Sequence, residues 1–112
     1  MENWSKELNI AITVADANGI IQDMNQKSMM TFQKSGSESL IGKSLYDCHP
    51  QKANEKINEL MAEQKTNAYT IEKNGIKKLI YQTPWFENGK FKGLVELSLE
   101  IPFEMKHFVR NP

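Results

Sequence analysis

The chain has a single cysteine, Cys48. It therefore cannot close an internal disulfide, which suits a reducing compartment. It has no excess charge of either sign, because 14 Lys and Arg stand against 14 Asp and Glu. That balance supplies no long-range field to draw the chain onto nucleic acid or an anionic bilayer. The longest basic run, Lys77-Lys78, reads as a solvated strand face. No apolar run approaches membrane-spanning length, and Met1 to Ile10 carries Glu2, Lys6 and Glu7 where a signal peptide would have its apolar core. A cytoplasmic protein with no nucleic-acid and no membrane partner is expected. Cys48, His49 and His107 are too few to supply the four ligands of a structural zinc site. Neither a glycine-rich phosphate loop nor a paired-carboxylate motif is present. Ser44, Asp47 and His49 lie too close in sequence to count as a triad, which is defined by three-dimensional roles. The expectation is a protein that is not an enzyme.

What the chain does have is ordinary globular composition, 39% hydrophobic and 25% charged over 112 residues. This is enough for one continuous core but too short to add a catalytic effector to a binding domain. Any output is expected to pass through a partner protein or a fused effector. A single domain over 1–112 is expected, with a core at about 8–101, a short N-terminal helix over 2–8 and a tail over 102–112.

The strongest local signal is Asn-Gly, at Asn18-Gly19, Asn74-Gly75 and Asn88-Gly89. Both residues tolerate the positive φ of tight hairpins, so each pair predicts a turn between strands. Ile10, Ile12 and Val14 alternate with Ala11, Thr13 and Ala15 before the first turn, and Ile20 to Met24 follows it. Ala68 to Lys73 and Lys77 to Thr83 flank the second, rich in β-branched and aromatic residues. After the third, Val95, Leu97, Leu99 and Ile101 alternate with Glu96, Ser98 and Glu100, the pattern of a strand with one buried face. A three-residue third loop, Glu87 to Gly89, sets Tyr81 opposite Val95 and keeps the apolar set on one face. Pro84 cannot donate to a ladder and marks where pairing with the preceding strand stops.

Between the hairpins the pattern turns helical. Asn25 is placed to cap a helix through Phe32, and the loop Ser35-Gly36-Ser37 follows. Pro50 at a first helical position opens a longer helix whose stripe is Ala53, Ile57, Leu60, Met61 and Gln64. Trp4 and Leu8, four apart, suggest the short amphipathic helix before the first strand.

Asp16-Ala17-Asn18-Gly19-Ile20-Ile21, the following Asn25, Leu40-Ile41-Gly42-Lys43-Ser44-Leu45 and the Glu87 to Gly93 hairpin together resemble the PAS domain family. Asp47-Cys48-His49-Pro50 is similar to a variant found in some bacterial members, and Glu100-Ile101-Pro102 departs from the Asp-Ile-Thr that closes many of them. The resemblance implies an α+β fold: a five-stranded antiparallel sheet with helices packed on one face and a pocket between them. It implies a sensory, signal-transducing module binding a small molecule there. Tyr81 and Trp85 share strand parity, and with Met29, Phe32, Tyr46, His49, Ile57 and Leu97 they are the expected ligand-binding residues. The same aromatic and methionine side chains serve equally as core packing.

The alternative is a ligand-free interaction module, a homodimer formed by Trp4 and Leu8 with Ile80 and Leu94 on the opposite sheet face. A second alternative is a haem-based redox or gas sensor using His49. In blue-light members the flavin-binding cysteine sits three residues after the glycine of the matching segment. That position here is Leu45, so a flavin photoadduct is not expected and cofactor identity stays open. Cys48, near a helix start, is the candidate for thiol redox chemistry.

Overall fold

The structure, a computed structural model, describes residues 1–32, 40–47 and 49–112. The loop Ser35-Gly36-Ser37 and Cys48 lie outside the described residues. The elements are α1 (Asn3–Lys6), β1 (Ala11–Asp16), β2 (Ile21–Met24), α2 (Gln26–Thr31), a 3-10 turn at Leu45–Asp47, α3 (Gln51–Glu63), β3 (Asn67–Lys73), β4 (Ile76–Glu87) and β5 (Lys90–Ile101). The strands form one sheet in the order β2-β1-β5-β4-β3, with every neighbouring pair antiparallel.

The corners set the pairing. At Asn74-Gly75 and Asn88-Gly89 both residues take positive φ, the geometry that matches strand twist in two-residue hairpins. The first corner is built differently. Only Gly19 is left-handed there, and Asp16 Oδ1 accepts the N–H groups of Asn18 and Ile20 at 2.9 and 3.0 Å. The aspartate side chain thus does part of the turning.

The expected three-residue third loop is replaced by a two-residue one, with Glu87 paired to Lys90. A bulge between Trp85 and Phe86 then shifts the register, so Tyr81 pairs with Leu97 rather than Val95. The shorter loop and the bulge each shift the register by one residue, so the apolar set still shares one face. Pro84 behaves as expected: β3 ends at Asn67, opposite Gln82, and Pro84 keeps only its β5 neighbour Leu94.

Asn25 caps α2 by accepting the Ser28 N–H at 3.0 Å. Pro50 stands at the cap of α3 rather than inside its first turn. Gln64 is the left-handed C-cap, so it ends the stripe that Ile57 and Leu60 anchor. Burying each of these two contributes about 2 kcal/mol. They join Ala15, Ile21, Met24, Leu40, Leu45 and Leu94 in the core between the helices and the sheet. α1 is shorter than expected and flanks the opposite face, near Ile12, Val14 and Val95.

The sheet's faces are assigned opposite to the expectation. Alternation on β1, β4 and β5 puts Ala11, Thr13, Ala15, Ile80, Gln82 and Leu94 under the helices. Ile12, Val14, Tyr81, Val95 and Leu97 point the other way, half-buried or exposed. Small and polar residues on the inner face let the helices approach closely, while the bulkier aliphatics sit on the side that α1 covers only in part.

Gly93 marks a close approach within the sheet. At φ 147° it lies beside Asp16, and a side-chain Cβ there would come within 2.0 Å of the Ala15 carbonyl oxygen. Only glycine permits this approach of β5 to β1.

Asn25 is 1% exposed and its amide is fully used. Oδ1 accepts from Ile12 N–H and Ser28 N–H, and Nδ2 donates to the carbonyls of Ser5 and Ile10 at 3.0 and 2.7 Å. Asn25→Ala leaves two N–H and two C=O groups without these partners. We expect a loss of about 3 kcal/mol or more, read as a lower urea midpoint at unchanged m-value. A midpoint unchanged within error would contradict this role.

Candidate functional site

The register turns the inner face into a lattice of cross-strand rows. One row runs Thr13, Glu96, Gln82, Asn67, all polar, across β1, β5, β4 and β3. The next runs Ala11, Ser98, Ile80, Tyr69. Beyond it Lys78 pairs with Ile71. A polar row beneath helices must satisfy itself. Asn67 Nδ2 donates to Gln82 Oε1 at 2.9 Å, and Gln82 Nε2 donates to Glu96 Oε2 at 2.8 Å. The Thr13 and Ser28 hydroxyls pair with each other, tying the row to α2. Among the described residues, Glu96 Oε1 carries no hydrogen bond.

Above the rows lies a cavity of about 200 Å³ between the sheet and Thr31, Phe32 and His49. Its floor includes Thr13, Ile80, Glu96 and Ser98, and it opens along β3 at the exposed Tyr69 and Ile71. A smaller void behind it reaches Leu45, Ile57 and Leu94, again with His49 and Glu96 in its wall. His49 Nδ1 donates to the Leu45 carbonyl at 2.8 Å, which fixes the ring at the end of the 3-10 turn. Burial, and after it the Glu96 charge, holds the Tyr69 phenol above its ordinary pKa. Burial alone raises that of Tyr46.

Of the residues expected to bind a ligand, Phe32 and His49 line this cavity, and Ile57 lines the void behind it. Met29 and Tyr46 pack on the core cluster beside them. Tyr81 and Leu97 are on the outer face, the reverse of the expected orientation. Trp85 is drawn across the sheet, with its indole N–H donating to the Ala15 carbonyl at 3.0 Å over Gly93. Conversely, Ile80 (7% exposed) and Leu94 (3%) are buried under the helices, so they cannot form the outward patch expected beside Trp4 and Leu8. Trp4 is exposed and Leu8 half-buried.

Sequence reasoning missed Thr13, Tyr69, Glu96 and Ser98. The apolar residues of β5 signalled a buried face more loudly than the polar ones signalled a lined cavity. Among the described residues no cluster of three His, Cys, Asp or Glu is placed to hold a metal, and no helix is long and apolar enough to cross a membrane.

Because its folded-state pKa is raised, Tyr69 is favoured as the neutral phenol. Any stability this carries is present below pH about 10 and is lost as pH rises through the folded-state value. Glu96→Gln removes the charge but not the burial, so the Tyr69 midpoint should fall towards its ordinary value. The difference in absorbance titration at 295 nm between Glu96→Gln and its Tyr69→Phe counterpart, set against the same pair in the parent chain, isolates it. An unmoved midpoint would show that the carboxylate does not reach Tyr69.

No curated protein matches this chain. Among solved structures, it is similar to a C-terminal domain from Streptococcus mutans, with 20% identity, a TM-score of 0.69, and coverage of 87% of this chain and 79% of that one. It is also similar to the sensor region of a sensor histidine kinase, with 18% identity, a TM-score of 0.62, and coverage of 88% of this chain and 42% of that one. A third similarity is to the Aer2 receptor from Vibrio cholerae, a dual PAS-heme oxygen sensor, with 15% identity, a TM-score of 0.59, and coverage of 83% and 95%. At these identities the likeness is one of fold. A family model described as PAS domain matches residues 1–102, nearly the whole folded region, and the chain belongs to the PAS domain family.

Proposed function

We propose that this domain is a cytoplasmic, non-enzymatic sensory module that takes a small molecule into the cavity between the sheet and Thr31, Phe32 and His49, and signals to a partner protein or fused effector. The observation that carries this reading is the cavity itself. It is a space of about 200 Å³ with apolar Phe32 and Ile80 on opposite sides and a polar lining in which Glu96 is the one carboxylate among the described residues. Ligand sites combine these features, a mainly apolar enclosure with a few placed polar groups. Occupancy would act on the Thr13–Ser28 contact, and Ser28 is held in turn by Asn25, which binds the Ser5 and Ile10 carbonyls. A shift of α2 against the floor thus reaches the N-terminal segment through consecutive hydrogen bonds.

The cavity does not fit a haem. An engineered cavity of about 150 Å³ accommodates one benzene, so 200 Å³ suits a single-ring compound and not a porphyrin. A screen of single-ring fragments by thermal shift should find compounds that raise the melting temperature. Ser98→Leu, which fills the cavity from its floor, should abolish those shifts while leaving a folded domain. The absence of any stabilising fragment, or shifts that survive Ser98→Leu, would count against the site.

A second reading, self-association, is favoured by the outer face. Ile12, Val14 and Val95 border a groove of about 620 Å³ with Trp4, which is 71% exposed, and Leu97 and Tyr81 continue the apolar surface. Balanced charge offers no repulsion to a second copy. Sedimentation should show a dimer that Leu97→Lys and Trp4→Glu each convert to monomer; a monomeric parent chain would overturn this.

A further inference from the structure

The inner-face hydrogen bonds narrow the chemistry that this cavity can recognise. Within the polar row, Gln82 spends its carbonyl on Asn67 and its amide on Glu96, and the Thr13 hydroxyl is engaged with Ser28. The charged group of the row is Glu96, which borders both the cavity and the void behind it, and among the described residues its second carboxylate oxygen carries no hydrogen bond. An anionic ligand brought to this row would meet a carboxylate, while a donor, above all a charged one, would meet a fixed acceptor. The row's only carboxylate is also held in place: Gln82 fixes one oxygen, so the other is aimed without further ordering cost.

Among the described residues, the lysine that lines the cavity is distant from Glu96. Lys78 lies four residues along β4 from Gln82, roughly 13 Å at the rise of an extended strand, at the outer end of the cavity beside Ile71. Between the two ends the apolar lining is Phe32, Ile80 and the ring of Tyr69, with Thr31 and His49 beside them. Glu96 is the one carboxylate among the described residues that line the cavity, and after burial its charge is what raises the Tyr69 phenol. Volume sets the remaining term: about 200 Å³ admits one ring and a short chain.

Resting on the cavity reading above, we propose that the ligand is a small organic cation, a protonated amine carrying a single-ring apolar body, with its nitrogen on Glu96 and its ring against Phe32, Tyr69 and Ile80. Three probes of one shape and different charge test it: phenethylamine, 2-phenylethanol and phenylacetate, titrated by calorimetry and thermal shift into the intact chain. Phenethylamine should bind at least tenfold more tightly than 2-phenylethanol, and phenylacetate should bind least. Glu96→Gln, which keeps a carbonyl oxygen for the Gln82 amide, should weaken phenethylamine at least tenfold and leave 2-phenylethanol within about twofold. Equal or tighter binding of phenylacetate or 2-phenylethanol would overturn the assignment of a cation while leaving the cavity as the site. An undiminished phenethylamine affinity in Glu96→Gln would overturn the role of Glu96. Failure of all three probes to bind would overturn the inference, and the fragment screen with Ser98→Leu would then show separately whether the cavity reading falls with it.

Discussion

One buried amide holds the N-terminal half of this domain together. Asn25 lies where β2 gives way to α2, and its side chain spends two acceptor and two donor sites on four different backbone groups. Those groups belong to the α1 segment, the approach to β1, β1 itself and the first turn of α2. A buried amide left half-satisfied costs more than an apolar residue in its place. All four segments must therefore arrive together, and the cavity is bounded by two of them. An asparagine suits the position because only an amide offers acceptors to N–H groups on one side and donors to carbonyls on the other.

The same logic of enforced satisfaction governs the inner face of the sheet. Placing Thr13, Glu96, Gln82 and Asn67 in one row beneath helices would be costly if each stood alone. Pairing Asn67, Gln82 and Glu96 in series, and Thr13 with Ser28 of α2, removes most of that cost and leaves one charged oxygen over. A polar row thereby becomes an aimed acceptor, whereas the aliphatic residues that alternate with it are displaced to the outer face. The fold supplies a space, and the row supplies its polarity.

Much of the architecture was legible in the residues. Asn74-Gly75 and Asn88-Gly89 specify primed turns because both residues accept positive φ, and Pro84 marks the end of the β3 pairing because it has no N–H. Asn25 as a cap and Ile57 with Leu60 as a buried stripe follow from helical spacing and side-chain chemistry alone. Of the site, Phe32, His49 and Ile57 were reachable, since they sit on or beside helices whose inner stripe the sequence marks. The bulge at Trp85 and Phe86 was not, because a bulge needs a partner strand to be counted against.

Local sequence determined which segments become strand, turn and helix, and in what order, because those choices rest on φ preferences, caps and periodicities that span a few residues. The identity of the inner face was settled only when the chain folded. Alternation on β5 shows that two kinds of residue face opposite ways, but period two is symmetric and carries no sign. The sign came from where α2 and α3 found room, over Ala11, Thr13, Ala15 and Ser98, leaving Val95 and Leu97 to the other side. Glu96, Gln82 and Asn67 are 14 and 15 residues apart and meet only through strand pairing. Their joint chemistry is thus a property of the sheet and not of any segment within it.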